Sequence, residues 1–116
     1  MKNFLAVYLG TEQSMAKWTG LDEKTRQQRT ADGMKAWGDW VNEHKGQIVD
    51  QGSPLGKTKH IAGSGITDIR NNLTAYTIIK AESHDAAANI FRTHPHFTFF
   101  PGDSVEVMEC LPLPKM

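Results

Sequence analysis

Residues 83–97 read SHDAAANIFRTHPHF, and residues 102–112 read GDSVEVMECLP. Ser83 carries the side-chain oxygen of a helix N-cap, Asp85 sits in the positively polarised first turn, and Arg92 in the last. Ala87, Ile90 and Phe91 share one face, the mark of a helix packed on a core. Pro95 disfavours helical geometry at His94, so the helix is expected to end near Thr93. Ser104 to Leu111 then reads as a closing strand, stopped by Pro112 and Pro114. A capped helix, a proline-stopped loop with two histidines and a final strand place a dense cluster of titratable side chains at the mouth of a sheet.

Working outward, Asn3 to Leu9 is apolar at nearly every position, with Phe4, Ala6 and Tyr8 on one face and Leu5, Val7 and Leu9 on the other. A half-buried antiparallel strand would alternate with polar residues, so something must cover each face. Gly10 to Gly20 reads as a loop with one helical turn around Ser14 to Trp18. Asp22 is an N-cap for a long helix running to about His44, closed by Gly46. The second half of that helix is amphipathic through Met34, Trp37, Trp40, Val41 and His44, whereas Asp22 to Asp32 is polar all round. Gly33 and Gly38 each cost about 1 kcal/mol relative to alanine, which close packing on the sheet would explain.

Gln47 to Gln51 is a short strand and Gly52 to Gly56 a turn-rich loop. Lys57 to Ile61 is expected at a sheet edge, which its lysines would blunt. Gly63-Ser64-Gly65 and Asn71-Asn72 punctuate a hairpin-like excursion before the clear strand Leu73 to Ala81. The order β-α-β-β-α-β is the ferredoxin-like α+β plan, a single domain over residues 1–116. Both helices then lie on one sheet face. The apolar character of both faces of the first and third strands calls for a homodimer formed through the open face.

Composition narrows the function. Thirteen basic residues balance thirteen acidic ones without a long run of either sign, so nucleic acid is not an expected partner. There is no 18-residue apolar stretch and no charged-then-apolar beginning, so neither a membrane span nor a secretory leader is expected. A lone Cys110 suits a reducing, cytoplasmic compartment, and its strand position predicts burial.

The chemistry-bearing candidates are His94 and His96, whose rings Pro95 would hold in a fixed relation. Either could serve as general acid or base, with Asp50 at the end of the short strand as a carboxylate partner; alternatively His94 caps its helix. An H-x-H pair supplies two metal ligands, but no third is evident by spacing, so neither a metal nor another cofactor is expected. Met34, Trp37 and Trp40 would line an aromatic pocket for a planar ligand, or simply form core. Trp18 is a lid candidate, and Ser53 lies in a glycine-rich loop able to present backbone N–H groups to a ligand.

The opening KNFLAVYLG, the helix before a short strand and Gly52-x-Pro54-Leu55, the Ala81-Glu82-Ser83-x-Asp85-Ala86-Ala87 stretch, His94-Pro95 and the closing Gly102-x-Ser104-Val105-Glu106-Val107 together resemble the YCII-related family over essentially the whole chain. The resemblance implies a ferredoxin-like subunit paired into a dimeric α+β barrel, with a pocket between sheet and helices. A few such proteins are linked to the breakdown of chlorinated aromatics through a His/Asp pair. Here the family's histidine position, in the region Met34 to Trp37, holds no histidine, and the aspartate position before the proline is His94. That pair does not carry over. Two functions stay open: a cofactor-independent enzyme moving a proton on a small cyclic or aromatic molecule, or a non-catalytic small-molecule-binding or structural dimeric module.

Overall fold

In the computed structural model, which describes residues 1–97, 99–100 and 102–114, β1 (Lys2–Leu9) is a central strand. It is followed by α1 (Glu12–Thr19), α2 (Glu23–His44), β2 (Ile48–Asp50), β3 (Thr58–Ala62), β4 (Gly65–Ile69), β5 (Leu73–Ala81), α3 (His84–Ile90) and β6 (Ser104–Glu109), with a 3-10 turn at Pro95–Phe97 before β6. The main sheet runs β2-β5-β1-β6 with every neighbouring pair antiparallel. That is the ferredoxin-like α+β order, with the β3–β4 hairpin inserted between its second and third strands.

The period of two decides the layers. Phe4, Ala6 and Tyr8 of β1 and Ala75, Ile79 and Ala81 of β5 point to the face where Trp40 of α2, Ala87 of α3 and Phe91 cover them. Burying a side chain the size of Phe4 or Ile79 contributes about 2 kcal/mol, so this face holds the subunit together. The other face presents Leu5, Val7 and Leu9 beside Ile78 and Met108, which the register places next to β1. The helix residues of the core cluster, Trp40 and Ala87, lie on the opposite face.

Four expectations change. Gly10 to Gly20 is mostly α1, capped by the Thr11 hydroxyl, which accepts from the Ser14 N–H at 3.2 Å. β3 is not an edge of the main sheet; it pairs only with β4, from Thr58 opposite Ile69 to Ala62 opposite Gly65. α3 ends at Ile90, and the chain reaches His94 through tight turns. Cys110 is exposed because it follows an outer strand, even though its N–H still donates to the Asn3 carbonyl at 2.8 Å.

The two helical glycines differ. A Cβ on Gly33 would stand 2.6 Å from the Phe100 ring, so the chain beyond the 3-10 turn packs against α2 at that point. Gly38 faces open space, and nothing in the structure explains it. The chain forms a slab of 54 × 44 × 18 Å with a radius of gyration of 16.1 Å, against roughly 13–14 Å for a rounded domain of this length. Among the described residues, no helix is long and apolar enough to cross a membrane.

Candidate functional site

Two histidines one residue apart occupy unlike surroundings. The 3-10 turn that begins at Pro95 directs the two rings to different neighbours. His94 is 1% exposed and lies among Trp37, Trp40 and Tyr8, with ring centroids 4.2, 4.5 and 4.9 Å away. Its Nδ1 accepts the backbone N–H of His96 at 2.9 Å. The neutral ring must therefore carry its proton on Nε2, which is 3.3 Å from the Tyr8 hydroxyl and donates to it. The Tyr8 hydroxyl then donates to Thr77 Oγ1 at 2.9 Å, and the Thr77 hydroxyl to the Gln51 carbonyl at 3.1 Å.

This chain of bonds has one direction from end to end and leaves His94 no free lone pair. Burial, together with the nearby His96 and His44, pushes the His94 ring down to about 3, and burial pushes the Tyr8 hydroxyl up to about 12. Both stay neutral near pH 7. As a base, His94 is disarmed.

His96 faces a cavity of about 600 Å3 between α1, the second half of α2, the loop after β2 and the start of β5. Met15, Met34, Trp37, Ser53, Phe100 and His96 contribute to its wall. The loop is fixed against β5 by backbone bonds from Leu55 N–H to Thr74 (2.9 Å) and from Tyr76 N–H to Ser53 (3.3 Å). Gly52 is obligatory in it: φ is +74°, and a Cβ would collide with the Tyr76 carbonyl oxygen. The cavity is thus mostly apolar with a few polar groups at its edge, the usual composition of a small-molecule site.

His96 Nε2 lies 3.1 Å from the Leu9 carbonyl and donates to it. Burial lowers its proton affinity, while the Leu9 and Ser104 backbone and the Asp103 carboxylate act in the opposite sense. The net direction is down, so the neutral ring is favoured. Gly102 packs directly on the ring, where a Cβ would not fit. Asp103, held well below the usual carboxylate range by hydrogen bonds from Thr11, accepts from the Thr11 N–H (2.6 Å) and the Ser14 hydroxyl (3.0 Å). It anchors the start of α1, the helix that brings Met15 to the cavity, from 92 residues away.

Of the residues expected to matter, Met34, Trp37, Ser53 and His96 meet at the cavity. Trp40 lies in the core, its indole N–H donating to the Ile90 carbonyl at 3.2 Å. Asp50 approaches no histidine; its Oδ1 accepts the Gly52 N–H at 2.8 Å and shapes the loop. Trp18 is half-buried on α1 and does not line the cavity. Met15 and Phe100 went unnoticed in the sequence. Among the described residues, no three His, Cys, Asp or Glu side chains converge as a metal site would require.

No protein-family model matches the chain, and no curated protein does. Among solved structures, the chain is similar to 5-chloro-2-hydroxyhydroquinone dehydrochlorinase (TftG) from Burkholderia phenoliruptrix AC1100, determined in complex with 2,5-dihydroxybenzoquinone. The match covers 91% of this chain and 90% of that one at 23% identity, with a TM-score of 0.53. A likeness at that identity shows a shared fold.

Proposed function

We propose that the cavity binds a small planar molecule bearing hydroxyl or carbonyl groups, and that His96 exchanges a proton with it. The observation that carries this reading is the position of His96: it brings an imidazole to a largely apolar cavity walled by Trp37 and Phe100. A neutral imidazole in such a place is suited to accept a proton from a phenolic hydroxyl. The dehydrochlorinase of like fold, solved in complex with 2,5-dihydroxybenzoquinone, supports the choice of ligand class. No redox or metal chemistry is required for that step. Only a proton moves, from ligand oxygen to ring nitrogen.

One observation favours binding without turnover instead. His96 Nε2 is already engaged with the Leu9 carbonyl, and Ser104 backbone lies near the ring, so the ring has a structural use of its own. The two readings separate in one experiment. Phenols, hydroquinones and 2,5-dihydroxybenzoquinone would be titrated into wild type and His96→Gln, following thermal shift for binding and ligand absorbance for ionisation. Wild type is expected to bind and to ionise the ligand at a lower pH than water does; the variant should bind but leave ionisation unchanged. Equal ionisation in both would remove the proton role and leave the binding module. No stabilisation by any planar ring would overturn the site itself.

We also propose that the subunit pairs with a second copy through the open sheet face. The chain exposes 8376 Å2, whereas a rounded monomer of 12.9 kDa exposes roughly 6300 Å2. The surplus exceeds the ~800 Å2 per partner that a standard interface buries. Half-buried Leu5, Leu9 and Ile78 and the exposed Met108 supply its apolar centre.

A further inference from the structure

The three helices are not held alike. α2 and α3 each bury a side chain in the core, Trp40 and Ala87, whereas none of the eight residues of α1 is buried. A helix of that length is too short to persist in water on its own propensity, which asks for about 12–15 residues. What keeps α1 in place is polar. At its start the Asp103 carboxylate accepts the Thr11 N–H at 2.6 Å and shares the Ser14 hydroxyl proton (3.0 Å) with the Thr11 carbonyl (2.9 Å). At its end the Arg26 guanidinium donates to the Thr19 carbonyl at 3.1 Å and to the Leu21 carbonyl. The two fastenings differ in reach. Arg26 belongs to α2, a few residues on, so it makes a corner that travels with that helix. Asp103 belongs to the segment before β6, fixed to the sheet by its own N–H on the Leu9 carbonyl at 2.9 Å.

We infer that α1 is the lid of the cavity and the Asp103 carboxylate its latch. The inference rests on the reading of the cavity as a small-molecule site and adds how a ligand is admitted and held. Met15 of α1 and Met34 of α2 both line the cavity. Releasing the Asp103 end about the Arg26 corner therefore draws Met15 away and widens the mouth that Met34 borders. Because α1 contributes no side chain to the core, its release leaves the core's packing intact. Elements with few buried apolar contacts are the ones that open locally, well below the free energy of global unfolding. Gly10 and Gly20 flank the helix, and small residues at the ends of an element often take up such a change in backbone angles. The latch also adjoins the ring assigned to chemistry. The Leu9 carbonyl accepts both the Asp103 N–H and the His96 Nε2–H (3.1 Å), and Gly102 packs on that ring. A closed latch thus fixes the wall that covers a ligand together with the imidazole that meets it.

The test pairs hydrogen exchange with binding kinetics on the full chain, comparing wild type with Asp103→Ala. In wild type the amides of residues 15–20 are expected to exchange faster than those of β1 and β5. In the variant they should exchange about 10-fold faster again, with β1 and β5 unchanged. Stopped-flow mixing with 2,5-dihydroxybenzoquinone, read by tryptophan fluorescence, supplies the second measurement. Association and dissociation rate constants should both rise about 10-fold in the variant, leaving the dissociation constant within about threefold. Equal rates in the two proteins, despite a loosened α1, would overturn the lid and leave the binding site standing. Faster dissociation alone would make α1 a fixed wall, which also overturns the lid. A wild type that does not bind the quinone would overturn the reading of the cavity and the lid with it. Should Asp103→Ala lose its folded signal, wild type decides: α1 amides as slow as those of β1 and β5 would sink the inference, and so would a bound ligand that leaves α1 exchange unslowed.

Discussion

The helix-covered face of the sheet is two regions, not one. At its centre, His94 is closed in by Trp37, Trp40 and Tyr8 with each of its ring nitrogens bonded. At its end, a few ångströms along the chain, His96 looks into a cavity with Met34 at the mouth. Both regions are built from the same materials, aromatic rings and one imidazole. What separates them is space: the first has used up its hydrogen-bonding capacity internally and is closed by its neighbours, while the second borders an open cavity. A buried polar group without partners is costly, so the closed chain from the His96 N–H through His94, Tyr8 and Thr77 to Gln51 is what makes burial of His94 tolerable.

The largest effect that could break this contrast is at His94. His94→Ala leaves a void and orphans the Tyr8 hydroxyl and the His96 N–H, and is expected to cost about 3–4 kcal/mol by urea denaturation. The pH dependence follows from the same burial. In the unfolded chain His94 takes up a proton near its ordinary 6.5, in the folded chain only near 3. Between those values the unfolded state holds more protons, so stability rises with pH. This contribution is complete above about pH 6.5 and is lost as pH falls toward 3, at up to ~1.4 kcal/mol per unit. His94→Gln should flatten that slope between pH 6.5 and 4. A slope unchanged in the variant would mean that other groups carry the acid sensitivity and that His94 is not sealed.

Next in size is Gly52→Ala, in the Ser53 loop of the open region, which borders the sealed chain at Gln51 and Thr77. The added Cβ meets the Tyr76 carbonyl oxygen, and φ of +74° disfavours alanine. A loss of about 2 kcal/mol is expected, with ligand-induced stabilisation lost as the Ser53 loop shifts. The pH slope assigned to His94 should survive, since the sealed region does not depend on that turn's detail beyond the Gln51 carbonyl. If the slope disappeared together with binding, the two regions would be one cooperative unit.

How much of this could be read from residues alone follows the range of the interactions involved. Strands β1, β5 and β6, helix α2 and the Gly63–Gly65 turn were legible because period, caps and glycines are local signals. α1 was not: its eight residues have a thin apolar stripe, and part of its anchoring comes from Asp103, distant in sequence. The stripe of α2 offered Trp37 and Trp40 equally; what separates them is the chain that packs above each, Phe100 over one and the Ile90–Phe91 turn over the other. His94 and His96 were both visible, but the order of their roles depends on which backbone N–H reaches which ring. Asp50 looked like a histidine's partner and is instead the cap of its own turn.

The smallest expected effect is the most delicate probe of the open region. Met34 is 62% exposed yet borders the cavity, so its side chain stabilises little in the empty protein. Met34→Ala is expected to change unfolding free energy by less than about 0.5 kcal/mol, as surface substitutions usually do. A planar ligand seated between Trp37 and the Ser53 loop would bury that thioether, and its loss should weaken binding several-fold, measured by titration calorimetry. The pairing of the two numbers is the point. A stability loss above 1 kcal/mol without a ligand would mean that Met34 is already packed in solution and the mouth closed. Unchanged affinity with unchanged stability would mean that the ligand sits deeper, against His96 and Phe100, and that the cavity is entered from the side of α1 and Met15 instead.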